Sequence, residues 1–212
     1  MKTLQLHMYT IYGHSYHKYS VVEIVDRLLI TTGRLCRSLR KEPENVPARF
    51  SHCVAWAFAA ASNFKIDVGD SLHHKYWVQK KESRRFSASQ WQKVLSKRFK
   101  GSNIKAGGLY FCTTRLFEET AETLEIVSAL GEIDLDDSNS EAVYLSYRGE
   151  IADLFGWLFA ISDMLDIDLE ATVSEYYKNG CRHQDCKGIP CTCPLEHYID
   201  RKRVRADTMV IP

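Results

Sequence analysis

Proline and glycine are scarce in this chain, at 5 and 11 of 212 residues. With few breakers and apolar residues recurring at three- and four-residue spacing, the expected fold is all-α. A charge bias of either sign is also missing, since the formal net charge is +1. No global field calls for nucleic acid or an anionic membrane, although a local site for a small anion needs no basic protein around it. Long apolar runs are lacking too. The best stretch, 151–165, is interrupted by Asp153, Gly156 and Asp163, so no bilayer span is expected. Met1 to His7 carry no apolar leader region. The expectation is a cytoplasmic protein with no membrane partner.

Helices are expected over 20–41, 48–64, 68–78, 113–130, 141–165 and 169–178. Ser20 with Glu23 forms a capping-box pattern at the first, and Asp168 is an N-cap candidate at the last. Between 79 and 105 the chain is basic, with a short helix expected over 87–99. Two stretches resemble each other. Val54-Ala55-Trp56-Ala57-Phe58-Ala59 matches Phe155-Gly156-Trp157-Leu158-Phe159-Ala160, Ile66-Asp67-Val68 matches Ile167-Asp168-Leu169, and Tyr76 matches Tyr177. Thr31 to Leu35 can be laid on Glu119 to Thr123. A duplicated helical unit follows. The domain reading is a first unit plus basic connector over 1–105, a second unit over 106–180, and a cysteine-rich loop and tail over 181–212.

Glu119 and Glu122 are three apart, as are Glu150 and Asp153. Residues three apart share a helix face, so two facing helices would bring four carboxylates to one spot. Such a cluster needs cations. Oxygen-only ligands favour Mg²⁺ or Mn²⁺, which can grip phosphate oxygens and activate water. The plainer alternative is ion pairing with Arg115 and Arg148. Acid pairs are common on solvated helix faces, but Glu150 and Asp153 open a helix apolar nearly all round, where acids require partners.

These residues resemble the MazG-like all-α nucleoside triphosphate pyrophosphohydrolases. The family pattern is Glu-x-x-Glu, a gap, then Glu-x-x-Asp, here Glu119-x-x-Glu122 and Glu150-x-x-Asp153. Met164-Leu165-Asp166-Ile167-Asp168-Leu169-Glu170-Ala171 is similar to the turn that follows in the family. The likeness covers about 115–193 and, weakened, 20–77. It implies Mg²⁺ on the four acids, water attack at the α-phosphorus, and release of nucleoside monophosphate and pyrophosphate. Glu118 is then an auxiliary ligand, a water-orienting group or a solvated acid. The first unit departs from the pattern, with Thr31, Arg34, Arg49 and His52 at the acid positions. The resemblance therefore implies an intrachain pseudo-dimer whose degenerate unit replaces a partner subunit. Arg34, Arg49 and His52 would clamp the triphosphate, or merely fill positions released from metal binding. Trp157, like Trp56, Phe58 and Phe159, would stack on the base or belong to the core. The base, the sugar and further homo-oligomerisation are left open.

Cys181, Cys186, Cys191 and Cys193 crowd into one segment, a set suited to structural Zn²⁺, with unligated reduced thiols as the alternative. His183 or His197 would be a substitute ligand, and Lys187-Gly188 a tight turn between the pairs. Two rivals to the enzyme stand: a non-catalytic nucleotide sensor of the same fold, and a nucleic-acid-binding protein using the zinc loop and basic connector.

Overall fold

Ser20 caps α2 (Val21–Lys41) as its sequence predicts. Its hydroxyl accepts from the Glu23 amide at 3.2 Å, and the Glu23 carboxylate accepts from the Ser20 amide at 2.8 Å. Two orphan donors of the first turn are thus satisfied. Ile24, Val25, Leu28 and Leu35 form the buried stripe of this helix. The computed structural model describes residues 1–16, 18–76, 81–130, 139–182, 186, 189–191 and 193. His17, Trp77, His183, the Lys187-Gly188 turn, the 131–138 loop, His197 and the tail lie outside them.

Eight α-helices and two short 3₁₀ turns, with no strand, make up the described residues. The helices are α1 (Lys2–Tyr16), α2, α3 (Val46–Asn63), α4 (Val68–Tyr76), α5 (Ala88–Ala106), α6 (Gly108–Leu130), α7 (Asn139–Met164) and α8 (Leu169–Tyr176). None is long and apolar enough to cross a membrane.

The two most apolar helices, α3 and α7, meet at the centre. Phe58 and Phe155 pack there with ring centroids 4.7 Å apart. Around this pair, α2 lies on α3, α6 lies on α7, and α2 meets α6. The short helices cross over: α4 packs on α7, and α8 packs on α3.

Local details recur between α1–α4 and α5–α8. The Gln5 amide donates to the Ile66 carbonyl at 2.8 Å and accepts from the Val68 amide at 3.2 Å. Gln92 does the same to Ile167 and Leu169 at 2.8 and 2.9 Å. In each case a side chain satisfies a backbone donor left open at a helix start. Thr32 and Thr120 are fully buried and donate to the carbonyls of Leu28 and Leu116. Lys65 and Asp166 both take the left-handed conformation after their long helices, with φ 56° and 54°.

Element extents differ from the sequence reading, and α6 starts at Gly108 rather than near 113. The stretch 88–106 forms one continuous helix rather than a short one, and α5 packs on α6, α7 and α8. Trp91 and Leu95 are buried while Lys93, Lys97 and Lys100 face water. The N-terminal helix α1 packs on α3, with Leu4, Met8 and Ile11 buried. Between α5 and α6 the chain turns sharply at Gly107 and Gly108, with φ 132° and 62°. Only glycine adopts the first of these at low cost.

Candidate functional site

The α6–α7 contact brings Glu119, Glu122 and Glu150 together, with one carboxylate oxygen from each within 4.8 Å of the others. Glu119 is 5 % exposed, while Glu122 lies at the open side. Glu119 accepts from the Trp157 indole N–H at 3.2 Å and from Arg115 Nη2 at 3.0 Å. The Arg115 guanidinium also stands 5.7 Å from the Trp157 ring centroid, a cation–π distance. Glu118 is turned outward and pairs with Arg115.

Burial, reinforced by the nearby Asp153 charge, raises the Glu119 pKa above the ordinary carboxylate range. The same two causes, with repulsion from Glu119, push Glu150 up to about 7. The Glu150 Oε2 atom is buried, and no described donor reaches it. Two acids this close must share a proton or a cation.

Asp153 has partners of its own. Lys75 Nζ lies 2.6 Å from its Oδ2, and the Tyr76 hydroxyl donates to its Oδ1 at 3.3 Å. Both partners come from α4, which the crossover brings from the other half of the chain. Tyr76 reaches Asp153 across Gly156, whose missing Cβ leaves the space for the phenol oxygen. Arg148, one of the two arginines weighed as a partner for the acids, pairs instead with Asp70 on α4. Arg115 does pair with them.

A cavity of about 270 Å³ adjoins Glu119 and Asp153. Tyr76, Phe99 and Trp157 give it aromatic walls, Arg115 and Lys100 bring positive charge, and Asn103 adds an amide. Trp157 is thus at the site, whereas Phe58 and Phe159 are core. Tyr76 was visible in the sequence only as half of a matched pair with Tyr177, and nothing pointed to Lys75 or to α5.

Arg34 and His52 line a second cavity of about 300 Å³, which shares no lining residue with the first. Burial, with the charges of Arg49, Arg34 and Arg182, lowers the His52 pKa to about 4. Arg34 and His52, expected to clamp a triphosphate over the carboxylates, therefore line a separate space, and Arg49 is not in its lining.

The four thiols of Cys181, Cys186, Cys191 and Cys193 lie within 4.8 Å of one another. Burial and the neighbouring sulfurs raise the Cys193 pKa, as expected of thiols gathered without a cation. The set could bind a metal such as zinc. The Cys191 amide donates to the Ile11 carbonyl at 2.8 Å and ties the loop to α1.

Comparison with protein-family models, curated proteins and solved structures finds no match to this chain.

Proposed function

We propose that this chain is a divalent-metal-dependent nucleoside triphosphate pyrophosphohydrolase of the MazG-like kind, its halves forming an intrachain pseudo-dimer. One observation carries the reading. Three acids from facing helices converge, the Glu150 Oε2 atom among them is buried without a donor, and a cavity lined by Glu119 and Asp153 adjoins the group. The recurring contacts of α1–α4 and α5–α8 support the pseudo-dimer.

The donor set fits Mg²⁺ or Mn²⁺, which prefer carboxylate oxygens and leave positions for water and phosphate. Glu119, Glu122 and Glu150 would hold the ion, with Asp153 as the fourth acid, shared with Lys75. A bound ion would neutralise triphosphate charge and acidify a coordinated water.

The remaining work falls to the chain's own groups. Arg115, held by Glu118 and Glu119, and Lys100 offer positive charge to phosphate oxygens. Tyr76, Phe99 and Trp157 present faces to a base, and Asn103 offers an amide to its edge. In the reaction, a water oxygen bonds to the α-phosphorus, and the α–β bridging oxygen departs with pyrophosphate. The four cysteines would hold structural zinc and pin the loop, since four thiolates leave no position for chemistry.

The Lys75–Asp153 pair favours one other reading. An ammonium already answers one acid, so the fold could bind nucleotide as a sensor without turning it over.

The two readings part on products. With Mg²⁺ and a panel of ribo- and deoxynucleoside triphosphates, the enzyme releases pyrophosphate and the matching monophosphate from at least one. Glu150→Gln abolishes release and keeps the helical content. Measurable nucleotide binding with no pyrophosphate from any member of the panel leaves only the sensor.

A further inference from the structure

The second cavity is built at the positions that correspond to the walls of the first. The matched contacts of α1 with α5, α2 with α6, and α3–α4 with α7–α8 fix the correspondence. Arg27 stands where Arg115 does, Trp56 where Trp157 does, and Tyr177 where Tyr76 does. The acids are what changed. Glu119 becomes Thr31, Glu122 becomes Arg34, Glu150 becomes Arg49, and Asp153 becomes His52. The described lining of the second cavity carries Arg27, Arg34 and Arg182 and no carboxylate.

A carboxylate pocket must recruit a cation before phosphate can approach. A pocket lined by guanidinium groups, one of them Arg34 at the place of Glu122, can take phosphate directly, through charge-assisted and bidentate hydrogen bonds. The aromatic component is kept as well. Tyr19 and Trp56 meet edge to face at 6.1 Å, and Arg182 lies 5.1 Å from the Tyr176 ring centroid. The His52 Nε2 is 3.2 Å from the Tyr176 hydroxyl. Cys181, beside Arg182, belongs to the thiol cluster and also lines this cavity, so the cysteine loop places one of the three guanidinium groups.

We propose that the cavity walled by Arg27, Arg34, His52, Trp56, Tyr176 and Arg182 is a second ligand site. It takes a phosphorylated small molecule with a planar ring, a nucleotide by chemical class, without any divalent metal. It is distinct from the carboxylate site and stands whether or not that site turns over.

The test is calorimetric titration with ADP, GDP, AMP and inorganic pyrophosphate. Magnesium and manganese are omitted, and no chelator is added, so the thiol cluster is undisturbed. At least one nucleotide binds saturably and quenches tryptophan fluorescence. Arg34→Glu weakens that binding about ten-fold or more, the scale of one lost charged hydrogen bond. Arg34→Gln and the exposed Arg182→Gln weaken it by less, and both keep a single cooperative unfolding transition. Glu150→Gln leaves it unchanged. The proposal is overturned if no nucleotide binds at millimolar concentration, if Arg34→Glu binds like wild type, or if Glu150→Gln removes the binding. Pyrophosphate binding as tightly as every nucleotide overturns the planar-ring assignment.

Discussion

A Cβ at position 156 would collide with the Tyr76 hydroxyl oxygen, so Tyr76 can occupy its place only beside a glycine at 156. The glycine sits inside α7, where it forgoes helix stability of about 1 kcal/mol relative to alanine. That cost goes with a phenol that reaches Asp153 from the other half of the chain. Gly156→Ala should drive the Tyr76 side chain out of the cavity. The expected outcome is a ten-fold or greater loss of nucleotide affinity or turnover with little change in unfolding midpoint. Tyr76→Phe, which keeps the ring and loses only the hydroxyl, should cost less. Kinetics of the two variants side by side check the order.

Lys75 competes with any metal for Asp153, because its ammonium lies 2.6 Å from the carboxylate. Lys75→Met removes that competitor. Divalent-metal affinity should rise several-fold, while the metal-free variant should unfold at lower temperature than wild type because the acids repel one another without it. Thermal unfolding with and without Mg²⁺ measures both effects, and an unchanged metal response counts against Asp153 belonging to the set.

His52 gives an acid-side signature. Its pKa is lowered to about 4 by burial and by the charges of Arg49, Arg34 and Arg182. The unfolded chain, with an ordinary histidine near 6.5, therefore binds the proton more readily than the native state. Stability tied to neutral His52 is fully present above about pH 6.5 and is lost as pH falls toward about 4, at most on the order of 3 kcal/mol. His52→Gln should flatten that part of the stability profile. Chemical denaturation at several pH values between these limits checks it.

The thiol cluster should hold one zinc per chain. A strong chelator should remove it and lower the unfolding midpoint by several degrees, because the loop anchors on α1 through Cys191 and Ile11. Cys191→Ser should behave as the stripped protein does. Metal analysis of the purified protein gives the stoichiometry.

How much of this could be read from residues alone depended on sequence distance. The capping box at Ser20, the stripe of α2 and the apolar run of α7 are local, and they were legible. The shared face of Glu119 and Glu122 was legible too, because three-residue spacing fixes a helix face, whereas Asp153, expected with them and Glu150, falls outside the three-acid group and pairs with Lys75. The α5 helix was harder, since Lys93, Lys97 and Lys100 on its wet side disguise the buried Trp91 and Leu95. Lys75 and Tyr76 could not be assigned to Asp153, because only the crossover of α4 onto α7 brings them there. The basic residues of the first half carried the opposite lesson. Arg34 and His52 were visible as departures from an acid pattern, but that they line a space of their own depends on α1 and α8.

The central claim is that Glu119, Glu122 and Glu150 share a divalent cation. Titration with Mn²⁺, counting free ion by electron paramagnetic resonance, tests it without reference to turnover. The account predicts saturable uptake of at least one ion per chain, competed by Mg²⁺ and weakened ten-fold or more by Glu150→Gln. Uptake that never saturates, or that is the same in wild type and Glu150→Gln, would contradict it.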